Sequence, residues 1–248
     1  MRIAAIYDIH GNLPALEAVL QDIDDKSVDH LLVGGDVVAG PMPSETLTLL
    51  QAVDIPTHFI RGNAESEVIR HINGQTPGGL SELADEEAYW VAKVLTTEHK
   101  QFITSWTETH EIEINGLGTV LFCHATPNSD VTVFTRLTPE EKIAPTFAPI
   151  SASLVVCGHT HMQFDRMIGG IRVVNAGSVG MPFGQTGASW LLIGDDVEMM
   201  HTDYDLEKAA ERIRQSGYPH AEDFAENNIL QAPSEADAME MLLRLELS

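Results

Sequence analysis

Seven polar side chains share one kind of position, directly after an apolar run. Asp8 and His10 follow IAAIY, Asp36 follows LLVGG, and Asn63 follows HFIRG. His124 follows VLFC, and His159 and His161 follow LVVCG. Two carboxylates, one amide and four imidazoles make a donor set of oxygen and neutral nitrogen. That set suits Mn, Fe, Zn, Ni or Co better than Mg or Ca. Cysteine pairs at metal spacing are absent, as are a Gly-x-Ser-x-Gly elbow, a Walker-type phosphate loop and a dinucleotide fingerprint. Seven donors exceed what one ion needs once room is left for water. Two ions sharing a carboxylate fit better, and such a pair clamps both ends of an in-line displacement at phosphorus.

These residues are far apart in sequence, so the fold must gather them. Arg2–Tyr7 reads as a strand, followed by a helix with Pro14 near its start and Leu13, Leu16, Val19, Leu20 and Ile23 at helical spacing. His30–Val33 reads as a second strand and Thr57–Arg61 as a third, with a helix between them capped at Ser44 and carrying Leu47, Leu50 and Val53. This βαβαβ rhythm predicts parallel strands covered by helices, with ligands meeting at the strands' carboxyl ends. Ser81–Leu95 and Glu98–Trp106 read as helices. Thr109–Ile114 and Leu117–Cys123 form a hairpin through a type I′ turn at Asn115-Gly116. Thr138-Pro139-Glu140-Glu141 is a capping box opening a short helix. Leu154–Cys157, Ile171–Val174, Ser189–Ile193 and Val197–Thr202 are strands, the last three mostly antiparallel. From Asp205 the pattern is helical, with Gly217 as a C-cap and Pro219 and Pro233 as breaks.

The order Asp8-Ile-His10, Gly35-Asp36, Gly62-Asn63, His124 and Gly158-His159-Thr-His161 resembles the calcineurin-like metallophosphoesterase superfamily. The flanking YDIHGN, GDVVAGPMP, VNAGSVGMP and HTDYDLEKAAERI look like its small prokaryotic branch of YfcE-type phosphodiesterases and diadenosine-tetraphosphate hydrolase-like proteins. The likeness spans roughly residues 1–220. It implies an α+β fold, a four-layer αββα sandwich of two mixed β-sheets. Residues 1–204 would form the metallophosphoesterase domain. Residues 205–248 would form a C-terminal helical extension packed on that domain or on a partner. It also implies that Asp8, His10 and His161 hold one divalent ion, that Asn63, His124 and His159 hold the other, and that Asp36 bridges. A metal-activated hydroxide then attacks phosphorus. The imidazoles must be neutral to bind, so activity should fall below about pH 6.

Two positions depart from the superfamily pattern. Where it often reads GNHD or GNHE, this chain reads GNAE, and Ala64 cannot donate a proton to a leaving group. Ala39 replaces the second acid of GDxxD. Among the other histidines, His71 is the one to test as a substitute acid. His30, His58, His99, His110, His201 and His220 fit no motif. Asn12 is either a helix cap or a phosphate contact. Arg61 either neutralises phosphate or pairs with a carboxylate. Asn175 most simply shapes a loop, and Cys123 and Cys157 read as small buried hydrophobes.

Composition narrows the partners. The 248 residues hold 14 Lys+Arg against 37 Asp+Glu, a formal net charge of −23. Long nucleic acids and anionic membranes should be repelled. No apolar run reaches the ~18 residues of a membrane span. Charge at Asp8 comes too early for a signal peptide, and two cysteines make no disulfide framework, so the cytoplasm is expected. Residues 195–248 carry 14 acidic and 4 basic side chains, a solvated face or a homo-oligomer contact. The expected substrate is a small phosphorylated metabolite or nucleotide. A phosphoprotein and a non-catalytic scaffold are the alternatives.

Overall fold

A computed structural model describes residues 1–76, 78 and 81–246 of the chain. The elements run β1 (Ile3–Ile6), α1 (Leu13–Asp24), β2 (His30–Val33), α2 (Pro43–Gln51), β3 (Thr57–Phe59), α3 (Asn63–Ile72), α4 (Glu82–Val94) and α5 (Thr97–Thr104). Then come β4 (Thr109–Ile114), β5 (Gly118–Cys123), α6 (Glu140–Phe147), β6 (Leu154–Cys157), β7 (Phe164–Ile168), β8 (Ile171–Asn175), β9 (Ala188–Ile193) and β10 (Val197–Thr202). α7 (Leu206–Arg214), α8 (Ala221–Phe224), a π-helical segment (Ala225–Leu230) and α9 (Glu235–Leu245) close the chain.

Two five-stranded mixed sheets result, in the orders β10-β9-β1-β2-β3 and β4-β5-β6-β8-β7. Side-chain alternation explains why they stack. In β1, Ala4 and Ile6 join Leu16, Val19, Leu47 and Val68 under the helices, while Ile3 and Ala5 point the other way. Those two meet Phe122, Leu154 and Val156 in an inter-sheet core. The opposite faces of β5 and β6 pack Leu121, Val155 and Cys157 against Ile143 and Phe147 of α6. The layers are therefore helix, sheet, sheet, helix. In such a sandwich the central strands are buried on both faces, which is why β1 and β6 are continuous apolar runs.

The C-terminal elements pack on this body in two places. Ala209, Ala210 and Ile213 of α7 cluster with Trp90, Met181 and Tyr204. Met239 and Leu242 of α9 cluster with Met162, Val133 and Phe183.

Local chemistry differs from expectation at several points. Ser44 lies inside the first turn of α2, whose cap position is Met42, because Pro43 already fixes the helical φ at the first position. Thr138 does not cap α6. Its Oγ1 accepts from the Thr135 N–H at 2.7 Å instead, and Pro139 takes the cap position. The hairpin turn is not type I′. Gly116 has φ +91° but Asn115 is not left-handed, and the Leu117 N–H donates to the Ile114 carbonyl. That is a type II turn, followed by a second left-handed glycine at Gly118 (φ +76°). Helix α3 and strand β7 carried no expectation.

Candidate metal centre

The backbone assembles the site. Loops leaving the carboxyl ends of β1, β2 and β3 in one sheet meet those leaving β5 and β6 in the other. The Asp8 N–H donates to the Gly35 carbonyl and the His10 N–H to the Asp36 carbonyl, at 3.1 and 2.9 Å. Gly158 is tied to His124 in the same way at 2.8 Å. Asp8, His10, Asp36, His159 and His161 all have φ between +50° and +68°. Side chains rarely adopt this region, and such strain concentrates where a site over-determines the backbone. Two glycines give the carboxylates room. A Cβ at Gly62 would lie 2.3 Å from Asp36 Oδ1, and one at Gly158 would lie 2.4 Å from Asp8 Oδ2.

All seven residues singled out in the sequence converge. Asp8, His10 and His161 form one group whose donor atoms lie within 4.8 Å of one another, and Asp36, His124 and His159 form a second. Three imidazoles are anchored through Nδ1. His10 donates to the Ala39 carbonyl, His124 to Gly34 and His161 to Met181, each at 2.9 Å. A carbonyl only accepts, so these contacts place the proton on Nδ1 and leave the Nε2 lone pair facing inward. Two such lone pairs, on His10 and His161, face each other at 3.1 Å. Asp8 Oδ1 is fully buried without a hydrogen-bond partner, 3.6 Å from His161 Nε2 and 3.9 Å from His124 Nε2. One amide atom of Asn63 lies 3.1 Å from His124 Nε2 and 2.9 Å from His159 Nδ1. Buried acceptors aimed at one another are costly unless a cation lies between them.

The titration behaviour agrees with that reading. Burial alone would push His124 down, but the charges of Asp36 and Asp8 outweigh it and hold the imidazole up at about 10. Burial would raise Asp36, yet the imidazoles of His124, His10 and His159 draw it well below the usual carboxylate range. His159 is pushed down to about 4 by burial and by the charge of His124. The same buried carboxylates, with Asp36 Oδ2 3.4 Å from His124 Nε2, would favour a cation there in place of that proton.

Glu65 is a site residue that the sequence reading missed. It is fully buried, and its carboxylate accepts from the N–H groups of Val37 and Val38 through Oε1, and of Asp36 and Gly62 through Oε2, at 2.8–3.1 Å. Burial and the nearby Asp36 push it up to about 7. Its signal was a Glu three residues after Gly62, the capping-box position of α3. Asn175 plays a comparable part, donating to the Gly158 carbonyl (2.6 Å) and accepting from the Gly177 N–H (2.8 Å) beside the His159 loop. Both departures act through the backbone. The Ala64 N–H donates to Asp36 Oδ1 at 2.8 Å, and the Ala39 carbonyl anchors His10.

Other named residues lie elsewhere. Asn12 is buried and is the cap of α1. Its Oδ1 accepts from the Ala15 N–H, and its amide nitrogen donates to Gly180 and Tyr204, leaving nothing to meet a substrate. Its expected phosphate contact thus gives way to the cap. His71 lies 2.7 Å from Asp85. Cys123 and Cys157 are buried beneath the ligands, and burial pushes both thiols up. Arg61 lines a cavity of about 560 Å³ beside Asn63 and His124, and pairs with Glu108 at 2.9 Å. A second cavity of about 250 Å³ lies beside His161.

Comparison with known proteins agrees with this picture. The uncharacterized protein MJ0912 of Methanocaldococcus jannaschii is 28% identical over 242 residues, covering 88% of this chain and 93% of that one. The hypothetical protein PH1004 of Pyrococcus horikoshii OT3 has the same fold, with a TM-score of 0.78 at 18% identity over 91% of this chain and 96% of that one. A metallophosphoesterase from Sphaerobacter thermophilus superposes with a TM-score of 0.71 at 27% identity, covering 91% and 97%. The model of the calcineurin-like phosphoesterase superfamily domain matches residues 1–196, and the chain belongs to that superfamily.

Proposed function

We propose that this chain hydrolyses a small phosphoester, phosphodiester or nucleotide phosphoanhydride with the help of two divalent transition-metal ions. One observation carries the reading: the orphaned Asp8 oxygen sits among inward-facing imidazole lone pairs at the junction of two ligand groups. Asp8, His10 and His161 are assigned to one ion, and Asn63, His124 and His159 to the other. Asp36 would be shared between the two ions, the role that the superfamily pattern gives to the Asp of its Gly-Asp motif. Such ions supply a Lewis acid for the phosphoryl oxygens and make water a stronger nucleophile at neutral pH. In the overall reaction, water adds its oxygen to phosphorus, one ester or anhydride P–O bond breaks, and the departing oxygen takes the proton.

The protein's own residues aim and restrain. The carbonyls of Ala39, Gly34 and Met181 hold three rings in one tautomer. Glu65 pins the Asp36 loop to the start of α3. Ala64 offers no proton, and His71 is held by Asp85 rather than lining either cavity. A positioned acid is worth about 10²–10⁴-fold. Its loss should favour leaving groups that are already stable as anions. A non-catalytic scaffold is disfavoured because all seven donor residues are kept.

The test is metal analysis of protein purified without chelator, followed by hydrolysis of bis-nitrophenyl phosphate and a series of substituted phenyl phosphates. The expected results are more than one ion per chain, turnover, and a steep dependence of rate on leaving-group pKa. A flat dependence would show that another group supplies the proton. Fewer than one ion per chain without turnover would favour the scaffold.

A further inference from the structure

The two cavities open from different ligand groups. The larger reaches the centre through Asn63 and His124, the smaller through His161, and they share no described lining residue. A phosphomonoester has one organic arm and needs only one of these spaces. A phosphodiester has two. The volumes are unequal, about 560 and 250 Å³, so two unequal arms would fit.

Charge then limits what the arms carry. The cations lining the larger cavity are Arg61 and Arg70, and both are already paired: Arg61 with Glu108 at 2.9 Å, Arg70 with Glu67 at 3.3 Å. Asp130 adds a third carboxylate to the same wall. In the smaller cavity the cation is Arg136, paired with Glu235. Among the described residues, a second phosphate in either space would meet no uncommitted arginine or lysine. If it displaced a glutamate, that carboxylate would stay tethered nearby and repel it. The remaining polar lining includes neutral side chains such as Ser66, Asn128 and Ser129 on one side and Gln163, Gln185 and Ser189 on the other.

Resting on the hydrolytic reading above, we infer that the substrate is a phosphodiester with two uncharged arms. A nucleoside-sized polar arm occupies the larger cavity, and a smaller arm lies beside His161. The second space is partly a product of the C-terminal segment. Glu235 opens α9, and the Pro233 carbonyl accepts from the Gly184 N–H at 2.9 Å, both beyond residue 196 where the family match ends. Glu235 of that segment and Arg136 of the preceding body thus meet as a pair that sets what the smaller space accepts.

The experiment uses full-length protein reconstituted with Mn²⁺, keeps nitrophenolate as the leaving group while the other arm is varied, and compares ratios between wild type and variants where the nitrophenyl arm itself is changed. Thymidine 5′-nitrophenyl phosphate should exceed both nitrophenyl phosphate and the 3′-phosphorylated thymidine ester by about tenfold or more in kcat/KM, chiefly through KM. Glu235→Gln leaves Arg136 without its carboxylate. It should raise, by about tenfold, the preference for a thymidine ester whose nitrophenyl arm bears a carboxylate over the unmodified ester. Arg136→Gln should move that ratio the other way. Equal or better use of nitrophenyl phosphate or the 3′-phosphorylated ester would overturn the inference, as would ratios that neither variant moves. If any of these nitrophenyl esters is cleaved in those cases, the hydrolytic reading stands and only this inference fails. If none is cleaved, the hydrolytic reading fails and this inference with it.

Discussion

Two groups of histidines occupy the two-sheet body, and only one is built to hold a cation. In the candidate centre, His10 meets His161 and His124 meets His159 edge to face, with centroids 4.9 and 5.1 Å apart. Away from it, His30, His58 and His110 stack almost parallel, at 5.5 and 4.1 Å, between β2, β3 and β4. Stacked rings send their nitrogens side by side, whereas tilted rings can send them to one point. The electrostatics differ in the same direction. At His124, buried carboxylates outweigh the cost of burial. At His58, burial and then the imidazoles of His110 and His30 all lower its pKa. Clustered imidazoles make a cation site when their nitrogens converge and carboxylates are buried with them, and three histidines in contact do not suffice.

The largest expected effect is loss of a convergent ligand. Changing residues that merely orient ligands typically costs 10–100-fold in metal affinity or activity. His161→Ala should therefore cost more than about 100-fold in hydrolysis and about one ion per chain by metal analysis. His58→Ala should change neither. Comparable losses in both variants would erase the distinction drawn above.

Removing metal should also separate the two groups. A ligand present at about 1,000 times its Kd stabilises the native state by roughly 4 kcal/mol, or about 8–16 °C in Tm for a chain of this size. Chelation should produce a drop of that order in wild type and in His58→Ala alike, read by thermal unfolding. In His161→Ala the drop should shrink.

Glu65→Gln probes the support of the centre. The amide keeps one acceptor oxygen but turns an NH₂ toward backbone N–H donors, so at least one buried donor is left unsatisfied. The cost is about 1–3 kcal/mol, a Tm lower by very roughly 2–12 °C, together with weaker metal binding by titration. A variant that melted like wild type and bound metal as well would show that the Asp36 loop holds its left-handed turn unaided.

Much of this contrast was legible in the sequence, and the physical reason is local. The strands feeding the centre are short apolar runs, and each ligand stands just past one, so Asp8, Asp36, His124 and His159 announced themselves by position. The helix at Asn63–Ile72 did not. Its first residue is itself a ligand-type Asn after Gly62, which reads equally as a turn. Its apolar face is thin, with only Ala64 and Val68 as buried apolar side chains. Strand β7 has exposed residues between buried Phe164 and Ile168, the pattern of a short edge strand. Thr138 fits a capping box by sequence, but a neighbouring backbone N–H competed successfully for its hydroxyl. The cavities depend on contacts such as Arg61–Glu108 and Arg136–Glu235 across 47 and 99 residues, which no local pattern encodes.

The smallest expected effect lies in the stacked group and follows from the sign of its shifts. Burial and neighbouring imidazoles lower His58, and burial and His30 lower His110, relative to the unfolded chain. Below the unfolded histidine value near 6.5, the unfolded state therefore binds more protons than the native state. Stability from these two residues is full above that pH and is lost as pH falls through it. His58→Phe keeps a flat ring in the stack but removes the titrating group. Between pH 7.5 and 5.5, in chelator, the Tm of wild type should fall more steeply than that of the variant. The ligand histidines are common to both proteins and cancel in the difference. Parallel curves would mean that the stack takes up protons as readily folded as unfolded, and that the two groups differ only in where their nitrogens point.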